Sequence, residues 1–238
     1  MWTCVTAPNS LLAMALKGAD KPWPTRRQVL RLLPISGGLF AGPFKDDTPT
    51  FARITAKALQ AGYQQLQLVE KKLLREIDIR MCIFEEKEFQ AYDEAFANNA
   101  MVQVKGYSVL GQQQLQNGKV IDVPGKEPDP EYVTIVDPAG KGYIDKAPRG
   151  AAGASGSIYA YLKIENKDWP EDVLGQIDTF EAIAHAYPMP GNVEQRVVHV
   201  IGPIFSGSNK DDAAQESAIQ QLAKAYRNVF TAYVDLYK

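Results

Sequence analysis

The sequence predicts an α/β fold whose mainly parallel sheet is covered on both faces. Apolar, β-branched runs alternate along the chain with stretches of helical period, which is the pattern of parallel strands joined by helices. Glycine-rich turns punctuate these runs at two places, and no repeat or shift of composition divides the 238 residues. One domain over 1–238 is therefore expected, with 1–28 as an N-terminal extension packed on it. A hydrophobic content of 45% against 23% charged residues is that of a chain that buries a core, and it excludes the low-hydrophobicity, high-charge disordered class.

The elements follow in order. Met1 to Ala7 alternates as a short strand, and Pro8-Asn9-Ser10 supplies cap chemistry for a helix from Leu11 to Lys17. Val29 to Ile35 is β-rich and ends in Ser36-Gly37-Gly38, and Thr48 to about Leu74 has a helical pattern. Ile77 to Phe84 reads as a strand, and Glu85 to Phe96 as a helix whose acidic first turn suits the macrodipole. Met101 to Leu110 and Tyr132 to Val136 read as strands flanking a polar hairpin or loop marked by Asn117-Gly118. Ile158 to Ile164 is expected to be a short helix. Glu165 to Glu194 is expected to be a long loop with helix near Val173 to His185. Arg196 to Ile201 is a strand ended by Gly202-Pro203, and Asp211 to Tyr237 is an amphipathic helix.

Charge and special residues narrow the chemistry. With 26 basic and 28 acidic residues the formal charge is −2, so no overall field recruits nucleic acid. No apolar run approaches the roughly 18 residues that span a bilayer, and no signal segment opens the chain, so a cytoplasmic protein with no membrane partner is expected. Cys4 and Cys82 lie in apolar stretches and indicate neither a disulfide framework nor a zinc site; no metal and no cofactor are implied. His185 and His199 are the two histidines, and His199, inside an apolar strand, reads as a core residue with a satisfied hydrogen bond. Glu85-Glu86-Lys87-Glu88 reads as a solvated first helical turn.

Ligands of parallel sheets gather at the carboxyl ends of strands, where glycine turns and helix N-termini expose amides. Pro34-Ile35-Ser36-Gly37-Gly38-Leu39-Phe40 places two glycines directly after a strand, and Gly150-Ala151-Ala152-Gly153-Ala154-Ser155-Gly156 precedes a helix. Each is a tight turn or an anion cradle, and a facing pair suits a diphosphate. Neither carries the lysine-terminated pattern of nucleoside triphosphate hydrolases.

These segments resemble the macro-domain family. Arg196 to Pro203, followed by a helix containing Ala225-Tyr226-Arg227-Asn228, is similar to the family's central strand and helix. Pro34 to Phe40 with Ile77 to Phe84 is similar to its C-terminal half, and Val102 to Val109, Thr134 to Ala139 and Gly153 to Ile158 to its N-terminal half. The order is rotated, which marks a circular permutation. The resemblance implies a three-layer α/β/α macro-domain-like fold with a mixed, mainly parallel sheet and circularly permuted strand order. It implies a site for ADP-ribose or a related nucleotide, free or on an ADP-ribosylated protein.

On that resemblance the ligand-binding residues are Ser36, Gly37, Gly38, Leu39 and Phe40 in one phosphate loop, and Gly153, Ala154, Ser155 and Gly156 in the other. Phe84 would stack on the nucleoside, and Asp137 would contact the distal ribose. Tyr107 stands where the family's adenine-binding aspartate would follow Gly106, and Ser155 where hydrolytic members carry an aspartate. Binding of ADP-ribose is the leading expectation. The alternatives are an ADP-ribosyl hydrolase, with Asp137 as the catalytic candidate, and a protein-interaction scaffold that has lost the nucleotide site.

Overall fold

The computed structural model describes residues 27–111, 113–123, 132–146, 150–164, 170, 173 and 177–237. The strand and helix expected within 1–17, and most of the N-terminal extension, lie outside the described residues.

Six strands form one sheet: β1 (Val29–Leu32), β2 (Asp78–Cys82), β3 (Val102–Lys105), β6 (Val133–Ala139), β7 (Ala182–Met189) and β8 (Val193–Ile201), in the order β3-β2-β1-β6-β8-β7. All neighbours are parallel except β7 and β8, which form an antiparallel pair, so the sheet is mixed and mainly parallel. A separate hairpin joins β4 (Gln113–Gln116) to β5 (Lys119–Asp122) through Asn117-Gly118. Among the described residues the helices are α1 (Thr48–Gln64), α2 (Leu68–Arg75), α3 (Glu86–Phe96), α4 (Lys141–Lys146), α5 (Gly153–Leu162) and α6 (Asp212–Asp235), with a kinked 3-10 segment over Gly38–Phe44 after β1.

Alternation along the strands decides which layer each side chain joins. Leu30, Leu32, Ile79, Met81, Val136, Val198 and Val200 pack beneath α1, α2, α3 and α6. Val29, Val133, Ile135, Val197 and Ile201 face the opposite way, against Ile144 of α4 and Ile158, Tyr159 and Leu162 of α5. Helices thus cover both faces. The two long helices α1 and α6 approach so closely that a Cβ on Gly62 would lie 2.6 Å from the carbonyl oxygen of Ala223 and 2.9 Å from the amide nitrogen of Arg227.

Several expectations are corrected. The helix expected near Val173 to His185 is absent over 182–185, where β7 begins; Ala182 to Met189 pairs residue by residue with β8, and that ladder outweighs the helix propensity of its alanines. The single helical run from Thr48 to about Leu74 is two helices, broken at Gln65–Gln67, where the Gln67 backbone N–H donates to Glu70 Oε2 at 2.8 Å and starts α2 afresh. The strand over Met101 to Leu110 is only Val102–Lys105, because the chain turns at Gly106 beneath Gln114 of the hairpin.

Candidate functional site

Chain direction creates the site. After β1 the chain moves to β2 over the face covered by α1, whereas after β6 it moves toward β8 through α4 and α5 on the opposite face. Two adjacent parallel strands whose connections leave in opposite directions open a crevice beyond their carboxyl ends. A cavity of about 450 Å³ lies there, within the range of small-molecule sites.

One wall is the turn after β1, with Ser36, Gly37, Gly38 and Phe40; facing it are Gly140, after β6, and Ala152, Gly153, Ala154 and Ser155 at the start of α5. A third wall comes from the end of β2 and the first turns of α3: Phe84, Glu85, Glu88 and Tyr92. Lys45 and Thr48 also line it. The N-termini of α1, α3 and α5 all lie beside one space, where their positive dipole ends favour an anion; in α1 the Thr50 and Phe51 amides are already taken by Asp47, and Pro49 has none. Among the described residues no side chain caps α5, whose first-turn amides face a ligand or solvent.

The turn after β1 is held from behind. Ser36, at a left-handed φ of 60°, donates its hydroxyl to the Pro203 carbonyl, Phe205 N–H donates to the Phe40 carbonyl at 3.1 Å, and Ile35 N–H donates to the Tyr226 hydroxyl at 3.2 Å. Gly38 and Gly153 have φ of 59° and 63°, and a Cβ on either would meet nothing within 4 Å. Glycine is used at these positions for backbone conformation, leaving the amides unshielded beside open space.

Phe84 is 38% exposed on the cavity wall. Its carbonyl accepts from Leu115 N–H at 2.8 Å, which anchors the hairpin beside the cavity. Lys45 is the cation among the lining residues. Glu88 is partly buried; burial first and the neighbouring Glu85 charge second push its carboxyl above the usual carboxylate range, with Lys87 acting in the opposite direction. Glu85 itself pairs with the exposed Lys87 at 2.8 Å.

Asp137 does not reach the cavity. It is fully buried and sits level with His199 in the β6–β8 register. Ser155 Oγ donates to its Oδ1 at 2.6 Å, Tyr159 hydroxyl donates to Oδ2 at 2.7 Å, and His199 Nδ1 lies 2.8 Å from Oδ2. His199 Nε2 is 2.8 Å from the Tyr187 hydroxyl, so the tautomer protonated on Nδ1 donates to the carboxylate and accepts from Tyr187. Burial, then the Asp137 charge, raises the Tyr159 phenol far above its ordinary value and keeps it a donor.

Of the residues singled out in the sequence, Ser36, Gly37, Gly38, Phe40, Phe84, Gly153, Ala154 and Ser155 come together around one cavity. Gly156 lies one residue beyond, where a Cβ would run into the Ala151 carbonyl, and the Leu39 side chain lies outside what is described. Tyr107 is buried under the sheet, its hydroxyl accepting from Arg80 at 3.1 Å. Sequence reasoning missed Lys45, Glu85, Glu88 and Tyr92. The spacing 85, 88, 92 on a helix that starts at a strand's carboxyl end was the available signal.

A second depression, of about 500 Å³, lies between β7 and α6; no glycine turn or helix N-terminus lines it. Among the described residues there is no cluster of side chains able to hold a metal, and no helix is long and apolar enough to cross a membrane. Comparison with protein-family models, with curated proteins and with solved structures gives no match.

Proposed function

We propose that the chain binds ADP-ribose, or a closely related nucleoside diphosphate derivative, in a macro-domain-type fold with circularly permuted segments. The observation that carries this reading is the convergence of two glycine turns, at 36–40 and 152–155, on the two sides of one crevice at the carboxyl ends of adjacent parallel strands. Two amide-rich walls facing each other suit a diphosphate, which carries charge on both phosphoryl groups and offers acceptors in both directions. Lys45 adds a cation, and Phe84 offers a partly exposed ring for a nucleobase.

Hydrolysis through Asp137 gains no support from the geometry, because three donors already occupy its carboxylate and no face of it is open to water. Calorimetric titration with ADP-ribose, using AMP and NAD as comparators, tests the reading. Selective micromolar binding of ADP-ribose is expected. Absence of heat with all three would overturn it and favour a scaffold role.

A further inference from the structure

Among the described residues no strand lies beyond β7, so one side of Ala182–Met189 is an edge of the sheet. The opposite edge, β3, is four residues long and ends in Lys105, and short or lysine-bearing edges resist pairing with another chain. β7 runs for eight residues, and Ala182 to Tyr187 holds no lysine, arginine or carboxylate to deter a second strand.

The ladder with β8 fixes which backbone groups of β7 point outward. Ile201 N–H donates to the Glu181 carbonyl at 3.2 Å, and the register sets Ile183, His185 and Tyr187 level with His199, Val197 and Gln195. Backbone groups alternate in direction along an antiparallel strand, so 183, 185 and 187 bond toward β8. Ala182, Ala184 and Ala186 therefore present their N–H and carbonyl groups to the open side. That row stops at both ends. Pro188, the next outward position, has no N–H to give. At the other end Phe180, at a left-handed φ of 74°, donates its N–H to the Ile201 carbonyl at 2.7 Å, and its own carbonyl accepts from the Asn228 side chain at 2.7 Å.

The two limits are symmetric about Ala184. An antiparallel copy of β7 related by a two-fold axis at that residue sets Ala184 opposite itself, Ala182 opposite Ala186, and Phe180 opposite Pro188. Each alanine pair can then exchange both its hydrogen bonds, and the proline that lacks a donor meets the residue whose own groups are already satisfied. Charge agrees with the same axis. Lys224 of α6 is exposed above the Phe180 ring at 4.8 Å, at one end of β7; Glu194, exposed and level with Pro188, stands at the other end on the same face. The axis turns Lys224 of each copy toward Glu194 of the other. We propose that β7 is the interface of a two-fold homodimer, in which a second copy of this chain continues the sheet edge to edge. The proposal is independent of what the cavity beside β1 and β6 binds.

The experiment is sedimentation velocity of the full chain from about 1 to 100 μM, with variants first checked for a cooperative melt. A reversible monomer–dimer equilibrium is expected. Ala184→Pro removes the N–H at the axis without touching the β7–β8 ladder, and should weaken the dimer by about tenfold or more. Lys224→Glu should weaken it by about threefold to tenfold, and adding Glu194→Lys should restore it. If Ala184→Pro fails to fold, the charge swap decides.

A wild-type chain that stays monomeric throughout the range overturns the proposal, whatever else covers that edge. So does a dimer that is indifferent to Ala184→Pro and to the charge swap, since its interface would lie elsewhere on the molecule.

Discussion

A carboxylate in the wall of a cavity proposed to take an anion would oppose that ligand, and Glu88 holds that position on the first turn of α3, partly buried beside Glu85. Its pKa in the folded chain is raised, so the folded chain holds this proton more tightly than the unfolded one. Its effect on stability is accordingly lost as pH rises from the ordinary carboxylate value through the raised one. Binding follows the same sign: the neutral acid tolerates a diphosphate and the carboxylate repels it. Affinity for ADP-ribose is expected to rise as pH falls from neutral through the raised range of this carboxyl, and Glu88→Gln should bind about twofold to tenfold more tightly at neutral pH with a flat profile. Titration calorimetry across that range checks both statements; a wild-type profile as flat as the variant's would refute the role given to Glu88. This residue shows the limit of local reading. A charged run at a helix start looks the same whether its third carboxylate meets water or a cavity, and only the placement of α3 across the cavity from the turn after β1 separates the two. Ser36 to Gly38 and Gly153 to Ser155 were legible for the opposite reason: glycine turns at a strand end and a helix start have local causes.

At the level of elements, packing overrides propensity where the two compete. Glycine inside a helix is worse than alanine by about 1 kcal/mol, so Gly62→Ala in an isolated α1 would stabilise it. In the protein the added Cβ would fall 2.6 Å from one backbone atom of α6 and 2.9 Å from another, and backbone atoms in the middle of a long helix do not yield as a flexible side chain does. Overpacking of this kind costs about 1 to 3 kcal/mol, more than the propensity gain. Gly62→Ala should therefore lower the denaturant midpoint at unchanged slope; an unchanged or raised midpoint would show that α1 and α6 can part without cost. The same competition explains which elements the sequence disclosed. β1, β2, β8 and α6 have strong β-branched runs or a clear helical period and were legible to within a few residues. β7 was not: Ala182, Ala184 and Ala186 carry no β signal of their own and become strand by pairing with β8. The split between α1 and α2 has neither glycine nor proline to announce it and depends on how Glu70 reaches back to Gln67.

For the whole molecule, the cavity joins two halves of the sheet. β1, β2 and β3 form one half and β6, β7 and β8 the other, and the seam between β1 and β6 is three residue pairs long, Val29 to Val133, Leu30 to Thr134 and Arg31 to Ile135. A ligand gripped by Gly37 and Gly38 on one side and by Gly153 and Ala154 on the other would bridge that seam. Saturation at about a hundredfold excess over the dissociation constant adds about 2.7 kcal/mol to the folded state. In a chain of this size that is expected to raise the melting temperature by about 5 to 10 °C with ADP-ribose and less with AMP, read by thermal melting. The arrangement of the seam was not legible in any local pattern, since strand partners a hundred residues apart are chosen by the packing of both faces together. The two turns could be read as cradles; that they share one space could not.

That same seam has a consequence in time. β1 is synthesised before both of its partners and can pair with β2 soon after that strand emerges, but its other edge waits for β6. At about 5 to 20 residues per second the intervening hundred or so residues occupy about 5 to 20 seconds of synthesis, through which the backbone amides and carbonyls along one side of Val29–Leu32 have no strand beside them. The strand that ends in the first glycine turn is thus both the centre of the finished sheet and the exposed flank of the nascent one, and the polypeptide is most open to errant association before translation reaches Val133.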